Sequence, residues 1–560
     1  MAKNKYSLGL DFGTNSVRAL LVDVHDGREK AEAVWNFSRG EAGILLDPRD
    51  DQLARQDPQD WLDGLERSTR AALRLAKKKI RGFSAEDVIG IGVDTTGSTP
   101  LPLDRVGTPL SLLPEFRRNL HAFAWLWKDH TSFQEAAEIT ALAREIRPAY
   151  LKKCGGAYSS EWFFSKILHC RRVAPKVFAA AFSWAECSDY IPAVLTGRTD
   201  PLRMKRNACA AGHKAMYHSS WKGLPDQEFL ARLDPEMGRL RQRLYDLAYT
   251  ADMPAGPLAL AVAKRLGLPA GIPVAVGVID AHAGAVGSGI KPGTLVKIIG
   301  TSTCDMMVEP LSRTIPDIPG IAGIAEGSIL PGAHGFEAGQ SAVGDIFNWF
   351  VSSLAPRGLG HAELTARGKR LQPGESGLLA LDWNNGNRNV LTDPRLTGLL
   401  LGQTLHTTPE EIYRALIEAT AFGARMIIER FEEYGMQVKE VVNCGGISEK
   451  NDLLLQIYAD VIGRPLKLAR STLACALGAA IFGAVAAGAR LGGYTTVEKA
   501  ERAMTGLKPR VFRPLARNRK IYQELFTLYR ELHDAFGGVA ESARLGKVMK
   551  ELLRIKESVR

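Results

Sequence analysis

Apolar and polar positions follow two patterns along the chain, one typical of buried strands and the other of amphipathic helices. Short apolar runs that open onto Asp or Gly predict strands buried on both faces of a sheet. These runs are residues 89–93, 273–279 and 440–444. Residues 58–79 and 410–434 between them are predicted helices, the first with Asp57 as N-cap and Pro58 at its first position. Strands and helices that alternate in this way predict an α/β protein.

Two stretches far apart in the chain resemble each other. Residues 6–23 read YSLGLDFGTNSVRALLVD, and residues 295–309 read LVKIIGTSTCDMMVE. Each predicts a β-hairpin with a Gly-Thr turn, whose backbone N–H groups can cradle phosphate oxygens. Asp11 precedes the first turn, whereas Ile298 holds the matching position in the second. A repeated phosphate hairpin with a carboxylate on one copy indicates two lobes around a Mg-nucleotide.

Length and composition predict at least two domains in a cytoplasmic protein. The 560 residues exceed a single hydrophobic core. We expect domains at residues 1–288 and 289–560, because each would then begin with its own copy of the hairpin. No stretch approaches the ~20 apolar residues of a membrane span. Because residues 1–14 run straight into the first strand, we expect no signal peptide. The seven scattered cysteines include no CxxC pair, which favours a reducing compartment.

The net charge of +11 does not indicate nucleic-acid binding. The basic residues are spread out and accompany no zinc-finger or RNA-binding motif. We interpret them as a solvated surface around a site for anionic substrates. Residues 545–559 have apolar positions at helix spacing with basic residues between them. We interpret them as a helix docked on its own protein, with a membrane-surface helix as the alternative. The oligomeric state stays open, with a homodimer as one option.

The chain has neither of the common nucleotide-binding motifs, GxxxxGK[ST] and GxGxxG. It has instead three short glycine-containing segments, spread from the N-terminal to the C-terminal half. Residues 11–16 (DFGTNS), 300–303 (GTST) and 443–446 (NCGG) together resemble the actin-like ATPase superfamily. The resemblance implies two actin-like, ribonuclease H-like α/β domains from an internal duplication, which flank a nucleotide and sugar cleft.

Other motifs narrow the resemblance to the FGGY carbohydrate kinases. Residues 127–131 (WKDHT) resemble the motif that this family has near its sugar pocket, and residues 445–465 resemble its adenosine segment. Five segments, one of which contains residues 127–131, resemble the bacterial L-ribulokinase group within the family. They are residues 126–131, 159–162, 211–216, 337–345 and 382–388. The resemblance implies a small-molecule ketopentose substrate, with ATP and Mg²⁺.

The turns and the resemblance together suggest which residues contact the nucleotide. They are Gly13, Thr14, Asn15, Arg18, Gly300, Thr301, Ser302, Gly445, Gly446 and Asn451. Arg18 could equally be a surface residue of the outgoing strand. Asp11 is expected to hold Mg²⁺, with Asp280 as a second ligand, because Mg²⁺ prefers a few carboxylates plus phosphates.

Asp280 is the predicted general base. It follows a buried strand, and the carboxyl ends of such strands present groups to ligands in open α/β sheets. A carboxylate there can accept the proton of an attacking sugar hydroxyl. The structural alternative is an N-cap for a helix that begins at Ala281.

The resemblance also implies the sugar-binding residues, and each has a structural alternative. They are Gly97, Trp127, Asp129, Lys214, Asp280 and Glu337. Lys214 could instead be exposed, and Glu337 could cap a helix that begins near Ser341. Trp127 and Asp129 could order the cleft wall without touching sugar. The remaining polar candidates, His130, His213 and His282, have no metal-ligand spacing, and we interpret them as satisfied polar residues near the cleft.

Two alternatives to an L-ribulokinase-like activity stay open. One is another ketopentose or polyol kinase of the same family, such as a D-ribulokinase or a xylulokinase. The other is a non-catalytic actin-like protein that binds ATP.

Overall fold

The computed structural model describes residues 4–447 and 451–540, so the predicted helix at 545–559 lies outside the described residues. The strands, in chain order, are β1 (Tyr6–Phe12), β2 (Ser16–Asp23), β3 (Glu29–Asn36), β4 (Leu45–Asp47), β5 (Asp50–Gln56), β6 (Val88–Thr95), β7 (Pro100–Leu103), β8 (Ala124–Trp125), β9 (Ser183–Glu186), β10 (Arg206–Asn207), β11 (Ala248–Tyr249), β12 (Pro254–Pro257), β13 (Pro273–Ala275), β14 (Val278–Ile279), β15 (Thr294–Ile299), β16 (Thr303–Pro310), β17 (Gly323–Glu326), β18 (Ala333–Ala338), β19 (Leu379–Leu381), β20 (Leu399–Leu401), β21 (Glu440–Cys444), β22 (Leu466–Ala469) and β23 (Leu507–Phe512).

The α-helices lie between and after these strands. In chain order they are α1 (Pro58–Lys79), α2 (Phe133–Ile146), α3 (Pro148–Lys152), α4 (Phe163–Val173), α5 (Pro175–Ala180), α6 (Cys187–Thr196), α7 (Ala208–Lys214), α8 (Gln227–Leu233), α9 (Pro235–Arg241), α10 (Leu260–Leu266), α11 (Asp280–Gly287), α12 (Gly344–Trp349), α13 (His361–Gly368), α14 (Pro409–Glu433), α15 (Asp452–Ile462), α16 (Ala474–Ala487), α17 (Val497–Met504) and α18 (Ala516–Phe536).

Two seven-stranded sheets repeat the same arrangement. The first has the order β12-β13-β6-β1-β2-β3, with β14 also paired to β6, and the second has the order β17-β18-β16-β15-β21-β22-β23. In each, an antiparallel hairpin (β1–β2 or β15–β16) pairs its first strand in parallel with a later strand, β6 or β21. The two predicted hairpins are therefore confirmed, in the repeated arrangement that an internal duplication implies.

Most predicted elements lie where the apolar pattern put them. The helix at 58–79 is α1, and the side chain of Asp57 accepts a hydrogen bond from the N–H of Gln59, as an N-cap does. The prediction of one strand at residues 273–279 is wrong, because β13 and β14 are separated by a break. At the break, a Cβ on Gly277 would lie 1.9 Å from the Ser188 carbonyl oxygen, so the backbone there packs against α6 instead of continuing the strand.

Helix α16 joins the two halves of the molecule. It follows β22 of the second sheet but packs on β1 and β6 of the first, beside α11. The close approach depends on small residues, because a Cβ on Gly92 of β6 would lie 1.7 Å from the Ala479 carbonyl oxygen.

The predicted boundary at residue 288 falls between α11 and β15 and stays a prediction. None of the helices in the described ranges has the length and apolarity to cross a membrane.

Candidate active site

Three carboxyl groups lie at one edge of the first sheet. β1 and β6 are parallel with Asp11 opposite Asp94, and β14 runs parallel to β6 with Val278 opposite Asp94. Asp280 follows β14 directly, so it lies at the same edge. Asp94 is fully buried, and neither of its oxygens has a hydrogen-bond donor among the described N–H and hydroxyl groups. Sequence reasoning gave Asp94 no role, although it ends a buried apolar run as Asp280 does.

Burial and the charge of Asp11 oppose the ionisation of the other two carboxyl groups. Burial, reinforced by the charge of Asp11, raises the pKa of Asp280 to about 7. Burial and the charges of Asp11 and Asp280 raise the pKa of Asp94 well above its ordinary value. Burial also raises the pKa of Asp11, against the opposing effect of Arg18. Carboxylates in such a cluster ionise together only with a counter-ion, and a hard divalent cation fits this donor set.

Asp280 begins α11 and is not its N-cap. The helix starts at Asp280 itself, and Ile279 occupies the cap position. One carboxylate oxygen of Asp280 accepts a hydrogen bond of 2.6 Å from the N–H of Ala281. The structural alternative places the start of the helix at Ala281 with Asp280 as its N-cap, and it is wrong by one residue.

Each hairpin turn is closed by a hydrogen bond from its glycine N–H, to the residue three positions on in the first turn and two positions on in the second. In the turn after β1, the N–H of Gly13 donates to the Ser16 carbonyl at 2.9 Å, and in the turn after β15 the N–H of Gly300 donates to the Ser302 carbonyl at 2.9 Å. The carbonyl of Thr301 accepts hydrogen bonds from backbone N–H groups near the start of α12. Each turn thus presents small residues at the end of its hairpin.

The side chains of the first turn contact the cleft wall. Thr14 Oγ1 accepts a 3.0 Å hydrogen bond from the indole N–H of Trp127, and the side chain of Asn15 donates to the Ala42 carbonyl at 2.7 Å. Trp127 therefore links the predicted sugar wall to the predicted phosphate turn.

Arg18 reaches back from β2 to the carboxyl cluster. Its guanidinium contacts the carboxylate of Asp11 at 3.0 Å and that of Glu32 at 2.8 Å. It is an electrostatic partner of Asp11, which distinguishes it from an unpaired surface residue. Whether it also contacts phosphate stays a prediction.

The glycine turn after β21 lies beside the second hairpin. Gly445 has a φ of +102°, and a Cβ there would lie 2.5 Å from the Ile299 carbonyl oxygen, whereas a Cβ on Gly446 would meet open space. Asn451 caps α15, because its side-chain oxygen accepts a 3.0 Å hydrogen bond from the N–H of Leu454. The side-chain oxygen of Asn451 is thus already engaged as a helix cap, and its contact with the nucleotide stays a prediction.

Lys214 and Glu337 form a largely buried ion pair that joins the two halves of the chain. Lys214 ends α7 and is 5% exposed, and its Nζ lies 2.7 Å from Glu337 Oε1. Glu337 lies in β18, and the following helix begins at Gly344. Both structural alternatives, an exposed lysine and a helix cap, are therefore wrong.

The charge of each partner sustains that of the other. Burial disfavours both ions, yet the carboxylate raises the pKa of Lys214 and the ammonium group holds the pKa of Glu337 well below its ordinary range. The pair is thus fully charged at neutral pH. A charged donor and a charged acceptor side by side match the hydroxyl groups of a sugar.

Gly97 lies in a tightly held loop after β6. A Cβ on Gly97 would lie 2.6 Å from the side chain of Ile279, so the position requires glycine. The buried ammonium of Lys166 donates to the Ser98 carbonyl at 2.8 Å, and the Ser98 hydroxyl donates to Glu186. Sequence reasoning gave Lys166 and Glu186 no role, because they become neighbours only in the fold.

Asp129 is part of the wall itself. It is fully buried and paired with Arg55, which is also fully buried. It accepts further hydrogen bonds from the N–H of Ala54 at 2.8 Å and the hydroxyl of Thr131 at 2.7 Å. These contacts support the alternative in which Asp129 orders the wall beside Trp127.

We expect Asp129→Ala to destabilise the protein. It leaves the Arg55 guanidinium buried without its anion, which typically costs about 3–5 kcal/mol of unfolding free energy. Urea denaturation measures the loss. Glu228→Ala, which removes one partner of an exposed pair with Arg147, is the matched control and should change stability little. Equal stability of the two variants would contradict a structural role for Asp129.

The histidines depart from the sequence interpretation. His130 contacts the Ser160 hydroxyl at 3.2 Å and is a satisfied polar residue. His213 and His282, however, lie with Glu337 in a cluster whose potential metal-ligand atoms are within 4.8 Å of one another. Neither ring nitrogen of His282 has a hydrogen-bond partner in the described part of the chain. The interpretation as a satisfied polar residue is wrong for His282 and holds for only one nitrogen of His213, whose Nε2 contacts the Ser328 hydroxyl at 2.9 Å.

Comparison with known proteins identifies the family. The profile of the N-terminal domain of the FGGY family of carbohydrate kinases matches residues 6–287, and that of the C-terminal domain matches residues 295–487. The chain belongs to the FGGY family of carbohydrate kinases. FGGY kinases use ATP, and the cluster and turns described above lie within the matched residues.

Relatives and solved structures agree with this assignment. The chain is 41% identical over 568 residues to a protein named ribulokinase from Halalkalibacterium halodurans, covering 99% of this chain and 98% of the relative. It is 40% identical over 572 residues to a ribulokinase from Mycolicibacterium smegmatis, with 99% and 98% covered.

Among solved structures, a xylulose kinase from Rhodospirillum rubrum is similar with a TM-score of 0.76 and 23% identity, over 96% of this chain and 99% of that one. A glycerol kinase from Plasmodium falciparum with ADP has a TM-score of 0.75 and 15% identity, over 94% and 98%. The fold is therefore the predicted two-domain actin-like fold. The family and the relatives show an enzyme that phosphorylates a sugar, which excludes the non-catalytic alternative.

Proposed function

We propose that the protein transfers the γ-phosphoryl group of ATP to O5 of L-ribulose, giving L-ribulose 5-phosphate. The observation that carries the proposal is the placement of Asp280, which lies at the strand edge shared with Asp11. A carboxylate at that edge suits a group that takes a proton from a hydroxyl as it attacks phosphorus. The sequence identity to ribulokinases supports the choice of sugar.

The chain's own residues supply three further parts of the reaction. The turns at Gly13 and Gly300 would hold the phosphates through backbone N–H groups. Lys214 and Glu337 would bind and orient the sugar hydroxyls, so that the attacking oxygen faces Asp280. Closure of the two halves on both substrates would exclude water, which otherwise competes for the phosphoryl group.

The residues of the carboxyl cluster fit Mg²⁺. Asp11 and Asp280 would hold the ion, with Asp94 behind them, and the observation that supports this fit is that no N–H or hydroxyl group of the described residues donates to the buried oxygens of Asp94. When bound, Mg²⁺ neutralises charge on the phosphoryl oxygens.

The domain division at residues 1–288 and 289–560 belongs to the same proposal and is supported by the limits of the two family profiles.

A coupled ADP-release assay tests the choice of substrate. We expect the highest kcat/KM for L-ribulose when it is compared with D-ribulose, D-xylulose, L-xylulose and glycerol. A hydroxyl displaced in a stereoisomer leaves groups unpaired at roughly 1–3 kcal/mol each, and glycerol lacks most of the hydroxyls. A higher kcat/KM for D-ribulose or D-xylulose would favour the alternative of a D-ribulokinase or a xylulokinase. ADP release that no sugar stimulates would overturn the proposal.

A further inference from the structure

Three buried atoms without hydrogen-bond partners converge beside the Lys214–Glu337 pair. Glu337 Oε2 lies 3.7 Å from His213 Nδ1 and 3.5 Å from His282 Nε2, and the two imidazole rings are 4.6 Å apart between centroids. Within the described residues, none of these three atoms has a hydrogen-bond partner. Buried polar atoms without partners are uncommon and costly, so the cluster calls for a physical explanation.

Ser328 contacts Nε2 of His213. The Ser328 hydroxyl lies 3.1 Å from the Ala325 carbonyl and 2.9 Å from His213 Nε2. We assign the hydroxyl proton to the carbonyl, which leaves the hydroxyl oxygen to accept from His213 Nε2. Burial, together with the neighbouring His282, keeps the pKa of His213 well below its ordinary value, so the ring is neutral. A neutral ring with its proton on Nε2 has a lone pair on Nδ1. His213 therefore cannot donate to Glu337.

His282 is the ring that can donate to Glu337. An imidazole ring carries at least one N–H in either charge state, so His282 can place a proton on Nε2, the nitrogen 3.5 Å from Glu337 Oε2. No other described group competes for either of its nitrogens. With the proton on Nε2, the contact with Glu337 becomes a charge-assisted N–H···O⁻ hydrogen bond. The two atoms are now 3.5 Å apart and do not form a hydrogen bond, so the proposed contact requires the site to tighten when substrate binds.

We propose that His282 is a positioning residue for sugar binding, whose Nε2–H holds Oε2 of Glu337. Oε1 and the ammonium of Lys214 are then left to meet the sugar hydroxyls. The inference rests on the proposed function, because that proposal assigns the sugar to Lys214 and Glu337. A divalent cation between the three atoms is the competing explanation. The ammonium of Lys214, 2.7 Å from the other oxygen of the same carboxylate, opposes it by charge repulsion.

Substitutions at His282 test the proposal through steady-state kinetics. His282→Leu removes the donor, and we expect the KM for L-ribulose to rise roughly tenfold, the equivalent of one charge-assisted hydrogen bond. kcat should change less, because His282 does not touch the reacting atoms. His282→Gln keeps an N–H donor and should restore most of the affinity. His361→Leu, which removes a histidine bonded to Tyr413 outside the site, is the control and should leave KM unchanged.

A second-site variant tests the different roles of the two histidines. Ser328→Ala removes the acceptor that holds the proton of His213 on Nε2. In the His282→Leu background it should partly restore KM, because His213 can then carry its proton on Nδ1 and donate to Glu337. Ser328→Ala alone should have little effect. A double variant that shows no recovery would overturn the assignment of the donor role to His282 alone.

Two further measurements hold whether or not L-ribulose is the substrate. Nitrogen NMR of protein labelled at its 11 histidines should show a proton on Nε2 of both His213 and His282 and none on Nδ1 of His213. A different tautomer at His282 overturns the inference, and unlabelled purified protein that contains stoichiometric zinc, lost in His282→Leu, overturns it in favour of a metal site. A wild-type enzyme inactive on every sugar would instead refute the proposed function, while the NMR result still decides the role of His282.

Discussion

Replacing Asp280 by Asn should abolish nearly all turnover while the protein still folds and binds both substrates. Asparagine keeps the size of the side chain but cannot accept the proton of the attacking hydroxyl. Loss of a general base costs roughly 10²–10⁴-fold in rate, and more if the placement of Mg²⁺ suffers as well. Single-turnover kinetics with ATP and L-ribulose would measure the chemical step, and calorimetry would measure the binding of each substrate.

The matched control is Asp246→Asn, which makes the same chemical change at an exposed residue paired with Arg241. Its turnover should equal that of the wild type. Turnover of Asp280→Asn within a few-fold of this control would remove Asp280 from the mechanism.

Lys214→Met should weaken both sugar binding and stability. The variant leaves the Glu337 carboxylate buried without its cation, which typically costs about 3–5 kcal/mol of unfolding free energy. It also removes a charged donor to the sugar, so the dissociation constant for L-ribulose should rise roughly tenfold or more. Urea denaturation and calorimetric titration measure the two effects separately.

A double variant separates the two roles of this pair. Lys214→Met combined with Glu337→Met replaces a buried ion pair by apolar side chains of similar length, a change that often restores stability. We expect the double variant to regain much of the lost unfolding free energy but no affinity for sugar. Affinity equal to that of the wild type in either variant would exclude Lys214 as a sugar ligand.

The parts of the fold and site that the sequence predicted are those encoded by local patterns. Two apolar runs around a Gly-Thr turn define each hairpin, and an apolar run that opens onto Asp280 defines a strand end at the cleft. Asp94 obeys the same local rule and could have been found by applying it to every buried strand. The break at Gly277 was missed because its cause, the carbonyl of Ser188, is remote in sequence.

The parts that the sequence did not predict depend on residues brought together by the fold. His213, His282 and Glu337 lie on α7, α11 and β18, so no spacing rule could relate them. Lys166 and Glu186 likewise hold the Gly97 loop from two separate elements. The role of such a buried polar group depends on which groups the fold places beside it, and the local sequence does not encode those neighbours.

The position of the new phosphate on the sugar tests the central proposal most directly. L-ribulose has primary hydroxyls at both ends, and the proposal places O5 against Asp280. Carbon NMR of the purified product, formed from ATP and L-ribulose, should show phosphorus coupling at C5 and none at C1. Coupling at C1, or no phosphorylated product at all, would contradict the proposed reaction.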